Sequence, residues 1–270
     1  MLASLILSLR EGLEAALVVG IVLAALRKMQ QTHLAPVIWR GVAAAIAINL
    51  LAGLIITWLG AEFKGQAEQI FEGTAMLAAA GMLTWMIVWM RRQSATLQKN
   101  LEEGISLAAQ QGNNLGLFWL AFLAVGREGL ELVLFLAAAR MTSNALQSTL
   151  GVLLGLSIAI LTGWGMYASS TRLNLRPFFN ITGFLLVLFA AGLVAHGIHE
   201  FNEAGIIPVM VEHIWDLSPI LSEHSTFGQL LASLFGYNPS PSLSESLGYL
   251  VYFLGLGIFW NRSNRRSAQA

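Results

Sequence analysis

Two copies of one polar pentapeptide interrupt otherwise apolar sequence. Arg10-Glu11-Gly12-Leu13-Glu14 recurs 117 residues later as Arg127-Glu128-Gly129-Leu130-Glu131. Glutamates three residues apart share a helix face. Two such helices that cross would aim Glu11, Glu14, Glu128 and Glu131 at one small volume, with Arg10 and Arg127 as charge partners. If all six groups are ionised they sum to −2. A divalent or trivalent cation would offset that charge. All-carboxylate sites suit hard ions such as Mn²⁺, Mg²⁺, Ca²⁺ or iron. The chain has no Cys, and no His lies in either apolar segment, which disfavours zinc and cuprous copper. The plainer alternative is structural: each Arg pairs with its own Glu and fixes helix packing. Charge inside apolar sequence favours the functional reading.

The elements that must position these residues follow from composition. Of 270 residues, 56% are hydrophobic and only 11% charged, with mean hydropathy +0.66. A soluble domain is about 25% charged. The balance excludes an ordinary soluble enzyme, a disordered chain and a nucleic-acid binder. Crossing a bilayer takes about 20 apolar residues. Seven segments qualify, at about 2–26, 37–60, 70–90, 115–139, 148–170, 178–199 and 243–260. Each is apolar all round, as lipid-embedded helices are. The first lacks a basic leader and carries Arg10, Glu11 and Glu14, so it reads as a span and not as a cleaved signal. The fold class expected is an all-α integral membrane protein, with residues 1–270 forming one transmembrane domain.

Charge placement orients the chain. Eleven of the 15 Lys and Arg fall in alternating connections and the tail: Arg27, Lys28, Arg40, Arg91, Arg92, Lys99, Arg172, Arg176, Arg262, Arg265 and Arg266. The positive-inside rule then places the N-terminus outside and the C-terminus inside. The opposite connections are acidic, from Glu62, Glu68 and Glu72 to Glu200, Glu203, Glu212, Asp216, Glu223 and Glu245. The motifs lie three spans apart, in spans one and four, so the second copy enters the membrane from the other side. Spans 1–3 and 4–6 therefore read as an inverted repeat with a seventh span added, an arrangement that places binding sites near the midplane.

Weaker candidates lie toward the outer face. His196, His199, Glu200 and Glu203 share one helical face at the end of span six. They form either a metal-loading site or a polar helix end meeting water. Glu72 is either a second loading ligand or an acid favourably placed at a helix start. The outer loop 200–242 holds Asp216, His213 and His224 and is long enough for short capping helices. The stretch 100–114 reads as a cytoplasmic connector, and the tail from Asn261 as disordered.

On its twin motifs the chain resembles the oxidase-dependent iron permease family, which includes the fungal high-affinity iron permeases and the bacterial EfeU-type proteins, and it is most similar to the bacterial branch. Further points of similarity are Phe71-Glu72-Gly73, Thr84-Trp85-Met86, Arg172-Leu173-Asn174-Leu175, Asp216-Leu217-Ser218, His224-Ser225 and Phe235-Gly236-Tyr237. The resemblance covers nearly the whole chain. It implies uptake of iron, as Fe²⁺ or Fe³⁺, across the bacterial cytoplasmic (inner) membrane, with iron as substrate and no cofactor. It implies iron handling by Glu11, Glu14, Glu128 and Glu131, with Arg10 and Arg127 as motif partners. It also implies work alongside a haem peroxidase and a periplasmic iron-binding protein, and leaves oligomers open. Two rivals remain at this point. Paired carboxylates in a helix bundle can hold a di-iron centre, as in a membrane oxidase, although such sites add Glu-x-x-His motifs and neither pentapeptide supplies the His. A carrier for another hard divalent cation or for a cationic solute is the other.

Overall fold

The computed structural model describes residues 1–93, 114–141, 145–169, 176–209, 211, 213–222 and 225–267. Seven long helices occupy the predicted spans: α1 (Leu2–Lys28), α2 (Ala35–Glu62), α3 (Gln66–Gln93), α4 (Asn114–Met141), α5 (Ala145–Ser169), α6 (Arg176–Glu203) and α8 (Leu243–Ser267). A short helix, α7 (Thr226–Phe235), lies in the long loop before the last of them. At 1.5 Å per residue, a helix of 27 residues is about 40 Å long, enough to cross a hydrocarbon core of about 30 Å.

Five of these helices are apolar enough to cross a membrane by length and composition: those of Thr32–Gly60, Gln66–Trp89, Ala145–Gly165, Pro177–Glu203 and Leu243–Asn261. α1 and α4 are as long but carry the pentapeptides, and those charges lower their apolarity. Trp39, Trp58, Trp85 and Trp164 are all exposed, as are Leu50, Leu54 and Ile55 on α2. Indoles and aliphatic side chains on an outer helix face suit lipid.

Local sequence explains the helix ends. Gln30 takes a left-handed conformation with φ 58° and stops α1. Ser225 caps α7, its Oγ accepting from Gly228 N at 2.9 Å. Gly236 ends α7 with φ 63° and lies against the backbone of Gly192, where no side chain would fit. Two expectations change here. The tail from Asn261 is helical through Ser267, because Asn-Arg-Ser-Asn-Arg-Arg contains no Gly or Pro to break α8. The 200–242 loop holds one described helix and is otherwise irregular. The connector 100–113, with Glu102 and Glu103, lies outside the described residues, as do Lys99, Arg172-Leu173-Asn174-Leu175, Glu212, Glu223 and His224.

The chain divides into two compact units. The first comprises Met1–Leu59 and Trp85–Gly183, the second Gly60–Thr84 and Phe184–Ala270. In the first unit, α1 packs on α5 through small residues. Gly151 lies against Met1, Gly155 against Ser8, Ala159 against Gly12, and Gly163 against Ala16. Both numbers rise together, so the helices run parallel. α2 and α4 pair the same way: Gly41 meets Phe118 and Ala121, Asn49 meets Gly129, and Gly53 meets Val133. Around this second pair, Val22, Leu26, Ile38, Val42, Leu117, Ala121 and Val125 form a buried apolar cluster. Small residues let membrane helices approach closely, which gives packing where lipid removes the hydrophobic drive.

In the second unit, α3 and α6 run antiparallel. Gly73 lies against Gly197, and Gln66 Nε2 donates to Ala204 O at 2.8 Å. α8 is antiparallel to α6, with Gly248 against Ile198 and Ser244 bonded to Asn202. Tyr252 of α8 shares a hydrogen bond with Thr84 of α3 at 2.9 Å.

Candidate metal centre

Both pentapeptides lie mid-helix in the first unit, on α1 and α4. Glu11, Glu128 and Glu131 each place a carboxylate oxygen within 4.8 Å of the others, and all three residues are buried. The helix spacing that puts Glu128 and Glu131 on one face, and the close packing around both helices, create this convergence. Glu11 Oε2, Glu128 Oε2 and Glu131 Oε2 are closed to solvent and receive no hydrogen bond. Buried carboxylate oxygens without a donor are costly. A cation among them would relieve that cost, and oxygen-only ligation suits a hard ion.

The arginines hold the rest of the charge. Arg10 is 2% exposed, with Nη1 3.0 Å from Glu11 Oε1 and Nη2 3.3 Å from Glu14 Oε1. Nη1 also lies 3.1 Å from the Met86 sulfur. Glu14 is thus drawn to Arg10 and does not join the three-oxygen group. Arg127 donates from Nε to Glu131 Oε1 at 2.8 Å, and its guanidinium stacks 4.3 Å from the centroid of the Trp89 ring. Its side chain is 43% exposed. The structural pairing of each Arg with its own Glu and the convergence of carboxylates are therefore both present. In Glu11 and Glu131, Oε1 faces the arginine and Oε2 receives no hydrogen bond.

The motif glycines admit different neighbours. A Cβ at Gly12 would stand 2.8 Å from Ala159 Cβ and 3.2 Å from Leu156. A Cβ at Gly129 would collide with the carboxamide of Asn49, 2.5 Å from its Cγ.

The second unit holds the weaker candidates. His199 faces carboxylates with both ring nitrogens: Nδ1 is 3.0 Å from Glu245 Oε1 and Nε2 3.2 Å from Glu203 Oε1. Glu203 also accepts from Gln69 Nε2 at 3.0 Å. Glu245 is further bonded by Asn238 and Ser242. A metal at His199 would have to displace one of these pairs, because a ligating ring nitrogen carries no proton. His196 Nδ1 faces Gly192 O of its own helix at 3.1 Å. Glu72 and Glu200 are half-buried, and Glu200 lies beside Gly73. Asp216 is exposed and closes a local turn, its Oδ1 accepting from Ser218 N at 2.8 Å. Hydrogen bonding from Ser218 holds the Asp216 carboxyl below the usual carboxylate range. His224 lies outside the described residues.

Three features of these sites stand outside the sequence expectations: Asn49, the Trp89 stack and the structural role of Glu245. Asn49 had a legible signal, a lone carboxamide in the middle of an apolar span. Trp89 gave none beyond its place near a span end. Glu245 was visible only as one acid among several.

Comparison with known proteins places the chain in a family. Residues 1–262 match the iron permease FTR1 family. The chain is 39% identical over 256 residues to "Ferrous iron permease EfeU" of Escherichia coli O6:K15:H31 (strain 536 / UPEC), covering 94% of this chain and 93% of that protein. It is 36% identical over 256 residues to "Ferrous iron permease EfeU" of Yersinia pestis, covering 94% and 91%. A relative from Escherichia coli (strain K12), 39% identical over 94% of this chain and 93% of its own, bears the name "Putative inactive ferrous iron permease EfeU". No solved structure matches the chain. The long apolar helices and this match over nearly the whole length agree: the chain is a multi-pass membrane protein and belongs to the iron permease FTR1 family.

Proposed function

We propose that this chain takes up iron across the bacterial cytoplasmic membrane and holds the ion in passage on the carboxylates of its two pentapeptides. The observation that carries the reading is the convergence of Glu11, Glu128 and Glu131 within 4.8 Å, from motifs 117 residues apart. Their unsatisfied oxygens are ligands in waiting. Glu14, held by Arg10, completes the four-glutamate set by swinging in when an ion arrives. Arg10 and Arg127 keep the empty site tolerable, since each neutralises part of a buried charge that would otherwise be costly.

The inverted repeat supports a midplane site. In it α1 corresponds to α4 and α2 to α5. Each motif helix packs parallel on the second helix of the other half, α1 on α5 and α4 on α2, as two interlocked copies of opposite orientation would. The N-terminus lies outside and the C-terminus inside, so Glu72, Glu200, Glu203, His199, Asp216 and His224 stand on the outer side as a loading region. Iron arrives there as the ferrous ion named for the relatives, supplied by a haem peroxidase and a periplasmic iron-binding protein. The reading is a transporter, not an enzyme: a ligand set open to exchange suits passage, and the relatives are named permeases.

The test is iron uptake by cells or proteoliposomes, comparing Fe²⁺ under reductant with chelated Fe³⁺. Glu131→Ala and Glu14→Ala, each at normal expression, are expected to lose uptake. Wild-type uptake by both would overturn the four-glutamate site.

A further inference from the structure

The most exposed charge in the two pentapeptides is Arg127. Its side chain is 43% exposed, against 2% for Arg10, 15% for Glu14 and 7% for its own partner Glu131. It stands fourteenth of the 28 residues in α4, at mid-helix. Leu123 and Leu130 are exposed on the same helix face, four residues before it and three after. A guanidinium carries five N–H donors. Among the described residues Arg127 makes one hydrogen bond, from Nε to Glu131 Oε1, and the Trp89 ring covers one face of its guanidinium. The Nη donors still need acceptors, and hydrocarbon offers none. Ionisable groups within a span almost always face the protein interior or a water-filled cavity. A side chain 43% exposed is not in the interior. Glu131 follows one helical turn later, with its Oε2 closed to solvent and without a donor. Glu11, Glu128 and Glu131 are all buried, so Arg127 is the point at which their cluster comes nearest to a solvated group.

We propose that water reaches the α4 face at Leu123, Arg127 and Leu130, and that ions pass between this water and the pentapeptide carboxylates beside Arg127. The inference rests on the function proposed above, in which α4 spans the membrane and the carboxylates hold the ion in passage. Lipid against this face would press hydrocarbon onto a cation with unsatisfied donors. The exposed face of α2 is the counter-example: Leu50, Leu54 and Ile55 carry no charge among them, as a lipid-facing surface should. The two arginines then differ in what they do. Arg10, dry and bridging Glu11 and Glu14, holds the site together. Arg127, wet on one side and paired with Glu131 on the other, stands at its mouth.

The chain has no Cys, so a single introduced thiol reports alone. Full-length Leu123→Cys, Leu130→Cys and, as the lipid-facing control, Leu54→Cys are placed in lipid nanodiscs, where both membrane faces are open. A charged, membrane-impermeant methanethiosulfonate is added and modification is timed by mass spectrometry. Leu123→Cys and Leu130→Cys are expected to react about a hundredfold faster than Leu54→Cys, the order of the penalty on charge within hydrocarbon. Either position alone reads the face, should the other variant fold poorly. In proteoliposomes treated with the reagent on both sides, Leu123→Cys and Leu130→Cys are expected to stop taking up Fe²⁺ under ascorbate, whereas Leu54→Cys keeps its rate. If both positions react as slowly as Leu54→Cys, lipid or protein covers the face and the proposal is overturned, with the carboxylate site untouched. The proposal also falls if they react fast and the modified protein still takes up iron, since the water would then lie off the route. Glu131→Ala is measured beside them. If it takes up iron as wild type does, the carboxylate site itself falls and the inference with it.

Discussion

The two pentapeptides have the same sequence and different surroundings. Around the first, Arg10 is fully buried and bridges both of its glutamates, with the Met86 sulfur against the same nitrogen. Around the second, Arg127 is half exposed, pairs with Glu131 and lies over Trp89. Gly12 opens onto the apolar Ala159 and Leu156, whereas Gly129 opens onto Asn49. In the first copy Arg10 holds both glutamates and only Glu11 reaches the three-oxygen group; the second keeps both of its glutamates in it. A five-residue motif thus fixes which groups are present, and the helices packed on it decide how many stay available to a cation.

The sharpest way to break this comparison is to remove the arginines one at a time. Arg10→Leu leaves Glu11 and Glu14 without a counter-charge in a dry site. Losing one partner of a buried ion pair costs about 3–5 kcal/mol. Arg127→Leu also strips a donor from the buried Glu131, but the lost cation is 43% exposed, so it should cost less, about 1–3 kcal/mol. Thermal unfolding in detergent, followed by tryptophan fluorescence, reads the difference. The Arg10→Leu deficit should shrink as pH falls, because a protonated carboxyl needs no counter-ion. Equal deficits in the two variants would mean that the copies are energetically alike.

Glutamates on either side of the same comparison come next. Glu128→Gln removes a member of the three-oxygen group and should raise the half-saturating iron concentration by about 10–100-fold. Glu14→Gln alters a carboxylate held by Arg10 and should raise it by less. A steeper loss in Glu14→Gln would place the working site on the first copy.

How much of this was legible beforehand follows from the kind of signal each feature leaves. Apolar runs of some 20 residues are unambiguous, so all seven long helices match their predicted spans to within a few residues at most ends. Polarity makes the tail after Asn261 read as disordered, while helix propagation through Ser267 needs only the absence of a breaker. The repeat of Arg-Glu-Gly-Leu-Glu pointed to one cluster, since i and i+3 share a face. What the repeat did not carry was the unequal treatment of Glu14. That depends on the rotamers of Arg10, which packing from α3 through Met86 helps to set. Likewise His199, Glu200 and Glu203 were grouped by helical spacing alone, yet His199 is joined across to Glu245, 46 residues away. Periodicity reports one helix at a time and is silent on the next.

The glycines offer a smaller and more specific test. Gly12→Ala and Gly129→Ala each add one methyl group to a closed contact, and overpacking of this kind costs about 1–3 kcal/mol. Suppression should be specific to each copy. Ala159→Gly should restore stability to Gly12→Ala and do nothing for Gly129→Ala. Asn49→Ala should restore stability to Gly129→Ala, because the methyl group and the carboxamide compete for one space. Cross-suppression would mean that the two slots are coupled.

The smallest expected effect concerns Trp89. Its ring lies 4.3 Å from the guanidinium carbon of Arg127, a cation–π contact that holds the half-exposed cation where its Nε reaches Glu131. Such contacts contribute about 0.5–1 kcal/mol at exposed sites and about 2 when desolvated. Trp89→Phe keeps a weaker ring and Trp89→Leu keeps only bulk, so stability should fall in the order Trp, Phe, Leu. The informative reading is a double-mutant cycle with Arg127→Leu. A coupling of about 0.5–1 kcal/mol assigns the Trp89 effect to the cation. No coupling would assign it to packing. Arg127 would then owe its position to Glu131, whereas Arg10 also meets the Met86 sulfur.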